Sequence, residues 1–300
     1  MALRMNRRTF LSSLEAIGAY AALSGVNWSR AAQAAVAEGM PKKTDKLTGA
    51  PSLVVAHCCD PQLGFGLNEN AEEAYQQDLA CLKREIERLN AVRPDLVFFA
   101  GDMVHRIAEI ERDWPDLLPK IEPRVLVAPG NHDVPEPVDR AKLDAFCKVF
   151  GREYDSILIN GWRMIAINSQ YCRATDAQAL YDAQVEWFRR ELEGARERGE
   201  RVVVGSHIPP FVKALDEKDE YFNFPTNLRA DYLDYLLANG TLFYLAGHTH
   251  TTLERAYRGL PILNGETTSR NFDKRPRGFR LLKIDDDLNY EWNFVSAEEE

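Results

Sequence analysis

The strongest constraint in this sequence is a repeated arrangement, in which a short apolar run is followed at once by polar side chains. The run at 124–128 leads in this way into the turn Pro129–Asp133. Glycine within such a turn lets the chain bend sharply where a strand ends. Because open α/β sheets collect ligands at the carboxyl ends of their strands, we expect the polar residues to meet in space. These candidates are Asp60, Gln62, Asp102, Asn131, His207, His248 and His250.

Strand-like and helical patterns alternate along the chain, which indicates the α/β class and a largely parallel first sheet. Apolar side chains from Tyr75 to Leu89 recur at spacings of three and four and predict an amphipathic helix. Another helix is expected to run from Thr226, as its N-cap, to Asn239 before Gly240. Further helices are predicted around 142–150 and 185–195, and strands at 52–56, 95–100, 124–128, 156–160, 163–168, 201–205 and 241–246, with a closing hairpin at 279–284 and 288–294.

The first 37 residues are typical of a twin-arginine export signal. Arg7-Arg8 precede a mostly apolar run at 14–26, and alanine-rich stretches end at Ala37. An ordinary amphipathic first helix is the alternative. The run is too short for a stable membrane span and contains Glu15. We therefore expect a signal at 1–37, a linker at 38–50 and one domain at 51–300, with twin-arginine export to the periplasm or beyond.

Composition narrows the class of protein further. The chain has 300 residues, of which 45% are hydrophobic and 28% charged, so it can bury a full core. Removal of residues 1–37 leaves 33 basic against 45 acidic side chains, a formal charge of −12, which argues against nucleic-acid binding. The five cysteines are odd in number, and no disulfide framework is expected. In the segment His57-Cys58-Cys59, burial is favoured over metal binding or a redox role.

The seven candidates offer two carboxylates, two amide oxygens and three imidazoles. Seven donors are too many for one ion, but two ions that share a carboxylate and a water would use them. The set contains no cysteine, which argues against a structural zinc site. Two divalent ions against two carboxylates leave a formal charge of about +2, so the site attracts an anion such as phosphate. Hydrolysis also needs an acid for the leaving oxygen, and His132, beside Asn131, has a suitable titration range.

Taken in order, these motifs resemble the calcineurin-like metallophosphoesterase superfamily. They are Asp60-x-Gln62, Gly101-Asp102, Gly130-Asn131-His132-Asp133, His207 and Gly247-His248-x-His250. The segments Asp60–Gly64, Asn168–Gln170 and Tyr221–Asn223 further resemble the branch of calcineurin-like phosphoesterase domain-containing proteins, which includes serine/threonine phosphatases. The resemblance implies a four-layer α/β sandwich, in which two mixed β-sheets pack face to face and are flanked by helices.

The resemblance also implies how the ligands divide between two metal ions. The first ion would be held by Asp60, Gln62, Asp102 and His250, and the second by Asp102, Asn131, His207 and His248. Most of the superfamily has histidine where this chain has Gln62. An amide oxygen there should favour harder ions such as manganese, magnesium or iron over zinc. The resemblance leaves manganese, iron and zinc open as the divalent or trivalent ions.

Several residues near the ligands receive roles only through this resemblance. His105 stands where protein phosphatases of the superfamily carry an aspartate that orients the catalytic histidine, and Asp133 is an alternative for that role. Arg106 stands where those phosphatases bind the substrate phosphate, and both phosphate contact and solvent exposure stay open. Tyr221 and Asn223 belong to an aromatic stretch that either binds substrate or packs in the core.

We therefore expect a binuclear-metal-dependent hydrolase of phosphoric monoesters, a phosphatase for which phosphoproteins are one substrate class. His132 and Asp133 are the expected catalytic residues. A phosphodiesterase that acts on nucleotides or phospholipid headgroups would use the same metals and is the alternative. A non-catalytic metal-binding or protein-binding module is the alternative of another class. The complete ligand set, together with His132, argues against such a module.

Overall fold

The computed structural model describes residues 39–66, 70–134, 137–173 and 177–298. The predicted export signal therefore lies outside the described residues. The strands are β1 Lys42–Lys43, β2 Leu53–Cys58, β3 Leu96–Phe99, β4 Arg124–Val127, β5 Asp155–Ile159, β6 Trp162–Ala166, β7 Arg201–Gly205, β8 Thr241–Ala246, β9 Leu253–Tyr257, β10 Leu260–Asn264, β11 Gly278–Ile284 and β12 Asn289–Ser296. The α-helices are α1 Ala71–Val92, α2 Trp114–Leu117, α3 Arg140–Phe150, α4 Gln178–Glu197 and α5 Thr226–Ala238.

These strands form two six-stranded sheets, ordered β1-β12-β11-β2-β3-β4 and β5-β6-β7-β8-β10-β9. In the first sheet β2, β3 and β4 are parallel, as the sequence predicts. The prediction of a largely parallel first sheet is confirmed, because three of its five strand pairings are parallel, although the closing hairpin adds β11 antiparallel to both β2 and β12. In the second sheet β6, β7, β8 and β10 are parallel, and β5 and β9 are antiparallel edge strands. Both sheets are therefore mixed.

Side-chain alternation along the strands divides the core into three layers. In β3, Phe98 points into the core between the sheets with Phe243, whereas Phe99 belongs to the core beneath α1. The second sheet repeats this pattern, since Val203 faces the inter-sheet core and Val204 packs beneath α4 and α5. The order of layers is helix, sheet, sheet, helix. This is the predicted four-layer sandwich.

Three local expectations differ from the structure. Thr226 is the first residue of α5 and not its N-cap; Pro225 holds that position, and the Asp219 carboxylate accepts the Thr226 backbone amide at 2.6 Å. The predicted linker contains the edge strand β1, which is held by the bond from the Lys42 amide to the Leu288 carbonyl. Strands β9 and β10 were absent from the expected set. Within the described ranges, no helix is long and apolar enough to span a membrane.

Candidate metal centre

The seven candidate ligands follow the carboxyl ends of five strands and lie where the two sheets meet. Asp60 follows β2, Asp102 follows β3 and Asn131 follows β4, all in the first sheet. The three histidines follow β7 and β8 of the second sheet. All of these side chains are buried except that of Asn131, which is half-buried. Both sheets therefore contribute to one polar centre inside an apolar sandwich.

One group of donors gathers around Asp102. Donor atoms of Asp102, His207 and His248 all lie within 4.8 Å of one another. His207 Nε2 lies 3.3 Å from Asp102 Oδ2 and 3.1 Å from Asn131 Oδ1. These four residues are the ones assigned to the second ion by the resemblance.

A second group of donors gathers around Asp60. His250 Nε2 lies 3.4 Å from Asp60 Oδ1, and the His248 backbone amide donates to Asp60 Oδ2 at 2.9 Å. The Gln62 backbone amide donates to the Asp102 carbonyl at 2.7 Å, which links this group to the first. Gln62 Oε1 is buried and has no hydrogen-bond partner among the described residues. A buried, unpaired acceptor is costly, and a cation would satisfy it.

Backbone carbonyls set the orientation of all three histidines. His207 Nδ1 and His250 Nδ1 each lie 2.7 Å from a carbonyl oxygen, those of Ala100 and Arg270. His248 is turned the other way, with Nε2 at 2.9 Å from the Tyr221 carbonyl. A carbonyl requires the facing ring nitrogen to carry hydrogen, which leaves the lone pair on the opposite nitrogen. The donors thus fit metal ions in both number and orientation.

Backbone strain is concentrated at the same residues. Of the ten non-glycine residues with positive φ in the described part, five are candidate ligands. Such conformations cost on the order of 1–3 kcal/mol each and persist only where the surroundings enforce them. The five are Asp60, Gln62, Asp102, His248 and His250.

Glycines allow the turns that carry these ligands to pack directly against each other. A Cβ added to Gly130 would lie 2.1 Å from Asp102 Oδ1, and one added to Gly247 would lie 2.7 Å from Asp60 Oδ2. No side chain fits at such distances. The glycines of the two motifs therefore serve close approach between neighbouring strand ends.

The centre is electrostatically prepared to hold positive charge. Burial alone would lower the pKa of His207, but the nearby carboxylates of Asp102 and Asp60 raise it to about 9. Burial would raise the pKa of Asp102, but the combined attraction of His207 and its neighbouring imidazoles lowers it. Burial and the proximity of His207 lower the pKa of His248 to about 3, so this ring is neutral. The buried carboxylates therefore attract cations, whereas His248 keeps a free lone pair.

His132 lies beside the donors but is held by other contacts. Its backbone amide donates to Asp102 Oδ1 at 2.8 Å, and its Nδ1 lies 2.8 Å from the His105 carbonyl. The His105 ring packs against the His132 ring with centroids 4.9 Å apart. The orienting hydrogen bond expected from the His105 side chain or from Asp133 thus comes from the His105 backbone.

Asp133 has a structural position behind the ligand turn. Its carboxylate is buried and accepts the backbone amides of Gly130 at 2.8 Å and Met103 at 2.9 Å. Burial and the proximity of Asp102 raise the pKa of Asp133 to about 8. Its contacts tie the turn after β4 to the turn after β3, and they do not reach the His132 ring.

Comparison with known proteins identifies the family. A family model described as calcineurin-like phosphoesterase matches residues 53–252, more than half of the chain. The chain belongs to this family. The matched range contains every candidate ligand described above, and the chain is accordingly a metal-dependent phosphoesterase.

Individual relatives of this phosphoesterase have low sequence identity to it. Serine/threonine-protein phosphatase CPPED1 of Rattus norvegicus is 28% identical over 244 residues, which cover 75% of this chain and 78% of the relative. The 3′,5′-cyclic adenosine monophosphate phosphodiesterase CpdA of Escherichia coli (strain K12) is 25% identical over 206 residues, covering 65% and 70% of the two chains. The crystal structure of a dimetal phosphatase from Danio rerio aligns with a TM-score of 0.60 at 14% identity, covering 83% of this chain and 98% of that one. This structural likeness concerns the fold alone.

The three residues assigned to substrate binding occupy different environments in the phosphoesterase. Arg106 has a half-exposed side chain that pairs with Glu109 at 2.8 Å. Tyr221 lies at the centre itself, because its hydroxyl accepts a hydrogen bond from Asn131 Nδ2 at 2.8 Å. Asn223 does not face the centre. Its buried amide bonds within its own loop, to Glu217 Oε1 at 2.7 Å and to the Glu220 amide at 2.9 Å.

The segment before the first motif is buried, as the sequence favours. The His57 ring stacks between Phe98 and Trp292, and burial lowers its pKa to about 4. Cys59 Sγ lies 3.3 Å from His57 Nε2, and burial raises the pKa of both vicinal thiols well above the usual range. These groups fill the core behind the phosphoesterase centre.

Sequence reasoning missed two kinds of contributor to the centre. The carbonyls of Ala100, Tyr221 and Arg270 orient histidines, but backbone groups have no sequence signature. Phe272 stacks on His250 with centroids 4.7 Å apart, and the sequence offers a signal for it. It is a lone aromatic residue in the polar segment 269–277, where a core role is unexpected.

Proposed function

We propose that this phosphoesterase is a binuclear-metal-dependent hydrolase of phosphoric monoesters. The single observation that carries the proposal is the convergence of seven oriented donors beside His132, whose ring is committed to none of them. Two ions match this number of donors, and they could share Asp102, whose carboxylate lies with His207 and His248 and whose backbone carbonyl accepts the Gln62 amide. Asp60, Gln62 and His250 would complete the first ion's ligands.

The ligands of the second ion would be Asp102, Asn131, His207 and His248. When bound, the two ions supply Lewis acidity for water activation and positive charge for phosphate oxygens. The unpaired Gln62 oxygen supports manganese, magnesium or iron over zinc in the first position. The identity of each ion stays a proposal.

His132 is proposed as the acid that protonates the leaving oxygen. The His105 carbonyl at Nδ1 requires hydrogen on that nitrogen, which leaves Nε2 as the ring nitrogen available for proton transfer. The hydrogen bond from the His132 backbone amide to the Asp102 carboxylate keeps the ring beside the donors. Asp133 is proposed to act only by positioning, because its carboxylate holds the backbone of the same turn.

Phosphorylated proteins are the substrate class that we propose first. The name of the rat relative, a serine/threonine-protein phosphatase, supports this class. A phosphodiesterase activity is the second candidate, supported by the name of the Escherichia coli relative.

A panel of esters distinguishes these two activities. The protein, reconstituted with manganese, should hydrolyse phosphopeptides with a higher kcat/KM than bis-aryl phosphate or cyclic nucleotide diesters. A higher kcat/KM on the diesters would favour the second candidate. Hydrolysis that does not depend on the added ion would contradict the proposed centre.

We also propose that the chain is exported to the periplasm, or secreted, by the twin-arginine machinery, with removal of residues 1–37. The support is the sequence pattern around Arg7-Arg8 and the alanine-rich stretch that ends at Ala37. Replacement of both arginines by lysine should leave uncut protein in the cytoplasm. Mature protein found outside the inner membrane despite this change would refute the proposal.

A further inference from the structure

Two exposed aromatic rings border the metal centre. Within the described residues, four large apolar side chains are more than a third exposed. Two of them lie elsewhere, Val92 at the end of α1 and Leu158 on the edge strand β5. The other two, Tyr221 and Phe272, are 52% and 48% exposed and lie against candidate ligand histidines. Ligand sites typically combine aromatic side chains with a few placed polar groups, which is the combination found here.

Phe272 lies on the side of the centre formed by His250. The two rings are nearly parallel, with centroids 4.7 Å apart and an angle of 15° between their planes. The Phe272 backbone amide donates to the His250 carbonyl at 2.8 Å, which fixes the backbone from which the ring projects. Phe65 packs against both rings at steeper angles. Nearly half of the Phe272 side chain nevertheless stays exposed.

Tyr221 lies on the side formed by His248. Their ring centroids are 4.7 Å apart, and Phe222 packs edge-on against Tyr221. The Tyr221 hydroxyl accepts from Asn131, and its carbonyl faces His248 Nε2. Arg173 donates to the same carbonyl. Tyr221 is therefore held firmly while much of its ring faces solvent.

Support of the histidines does not account for this exposure. Backbone carbonyls already orient His248 and His250. Apolar surface exposed to water is unfavourable. A smaller side chain could cover the histidines and expose less apolar surface. The exposed parts of both side chains are thus available to a group outside the protein, which at Tyr221 would also meet the Arg173 guanidinium, 5.7 Å from the ring centroid.

We propose that Phe272 and Tyr221 contact a planar ring attached to the substrate's phosphate, as in phosphotyrosine or a nucleoside phosphate. The inference rests on the proposed phosphoesterase function. A phosphate among the donors would lie beside His248 and His250, so the group esterified to it would meet the rings that pack against these histidines. Aromatic pairs gain stabilisation beyond their buried area in offset or edge-on contact. Seryl and glyceryl esters have no ring for such contact.

The test compares kcat/KM on ring-bearing and ring-free esters in wild type and in Phe272→Leu. Leucine retains apolar contact but removes the ring. Two peptides of one sequence, carrying phosphotyrosine or phosphoserine, form one arm, and adenosine 5′-monophosphate with glycerol phosphate forms the other. Leu158→Ala changes an equally exposed residue on β5 and is the matched control. Phe272→Tyr keeps the ring and should retain the preference for ring-bearing over ring-free esters.

Phe272→Leu should lower kcat/KM by about 3- to 10-fold on the ring-bearing ester of at least one arm, as expected for loss of one aromatic pair. Its ring-free partner should change less than about twofold. The affected arm tells whether the ring is that of phosphotyrosine or of a nucleoside. Equal losses on ring-bearing and ring-free esters, or no loss on either, would overturn the inference while hydrolysis itself upheld the proposed function. Failure of wild type to hydrolyse any ester would instead overturn the proposed function, and this inference with it.

Discussion

His132 differs from its polar neighbours because its two fixed contacts involve its own backbone and a backbone carbonyl. The backbone amide of His132 donates a hydrogen bond to the Asp102 carboxylate. The ring nitrogen Nδ1 of His132 forms its hydrogen bond with the His105 carbonyl. Removing the imidazole should therefore leave the donors in place. A proton donor can be separated from a metal ligand by experiment at this residue.

We expect His132→Ala to retain its metal and to lose about 10²- to 10⁴-fold in kcat on alkyl phosphates, the usual range for general acid catalysis. The loss should be much smaller on an activated aryl phosphate, whose leaving oxygen needs little protonation. Metal content and kcat on both esters are the measurements. Equal small losses on the two esters would contradict the acid role, and loss of metal would indicate that His132 is a ligand.

Gln62 offers a second prediction, because its buried oxygen lacks a partner in the described part of the chain. In wild type, activity after metal removal should return better with manganese than with zinc, since an amide oxygen is a poor donor to borderline ions. Gln62→His should narrow or reverse that preference. Metal content and affinity after reconstitution with each ion provide a readout independent of activity. If neither changes in Gln62→His, then Gln62 is not a ligand.

The convergence of the candidate ligands could be predicted from sequence, because each follows an apolar strand. Their surroundings could not. The carbonyl of Ala100 and that of Arg270 orient two histidines, and this depends on tertiary contact between main-chain atoms. The position of the Asn223 amide could not be predicted either. A polar side chain in an aromatic stretch can form hydrogen bonds within its own loop as readily as with a substrate.

At the scale of secondary structure, the strand-end turns work as a set. The turn after β4 packs on the turn after β3 through Gly130, which has no room for a side chain beside Asp102. The Asp133 carboxylate accepts hydrogen bonds from backbone amides of both turns. The spacing between the first-sheet ligands therefore depends on a glycine as much as on the ligands.

Gly130→Ala tests this dependence. Its new Cβ would meet Asp102 Oδ1 at 2.1 Å, so the two turns must separate. We expect weaker metal binding and a loss of about 1–3 kcal/mol in the free energy of unfolding, as for other overpacked sites. Gly49→Ala, where a Cβ meets nothing within 4 Å, is the control and should change neither quantity. Normal metal affinity and stability in Gly130→Ala would show that the turns are not in close contact.

The predictability of the strands follows their burial. Strands β2 and β3 are continuous apolar runs covered on both faces, and the sequence predicts both. Strand β9 alternates partly with exposed charged residues, and β10 contains Pro261, which argues against an interior strand. The two-residue β1 is defined only by its pairing with β12. Such strands depend on tertiary contacts that no local pattern records.

At the scale of the whole molecule, the interior contains a carboxyl group, that of Glu85, with no cationic partner among the described residues. Glu85 on α1 is fully buried, and its carboxyl group lies against the side chains of Cys58 and Thr268. Burial raises the pKa of Glu85 from its ordinary value near 4.5 to about 7. The folded state therefore favours the protonated carboxyl. Stability that this provides at low pH is lost as the pH rises through about 7.

We expect Glu85→Gln, which stays neutral at every pH, to be more stable than wild type above pH 7 by about 3 kcal/mol, the free-energy equivalent of such a shift. Below the ordinary glutamate pKa the difference should nearly vanish. Denaturant unfolding at pH values on both sides of this range measures it. Glu87→Gln, an exposed change on the same helix, is the control. A stability difference that does not vary with pH would contradict the raised pKa of Glu85.

The whole sandwich places candidate ligands from two sheets around one centre, where we propose that two ions bind together. The most direct measurement is a titration of the metal-free protein with manganese, in which bound metal and phosphoester hydrolysis are followed in the same samples. We expect two ions bound per chain, with hydrolysis that requires both. A single bound ion, or full hydrolysis by the metal-free protein, would contradict this expectation.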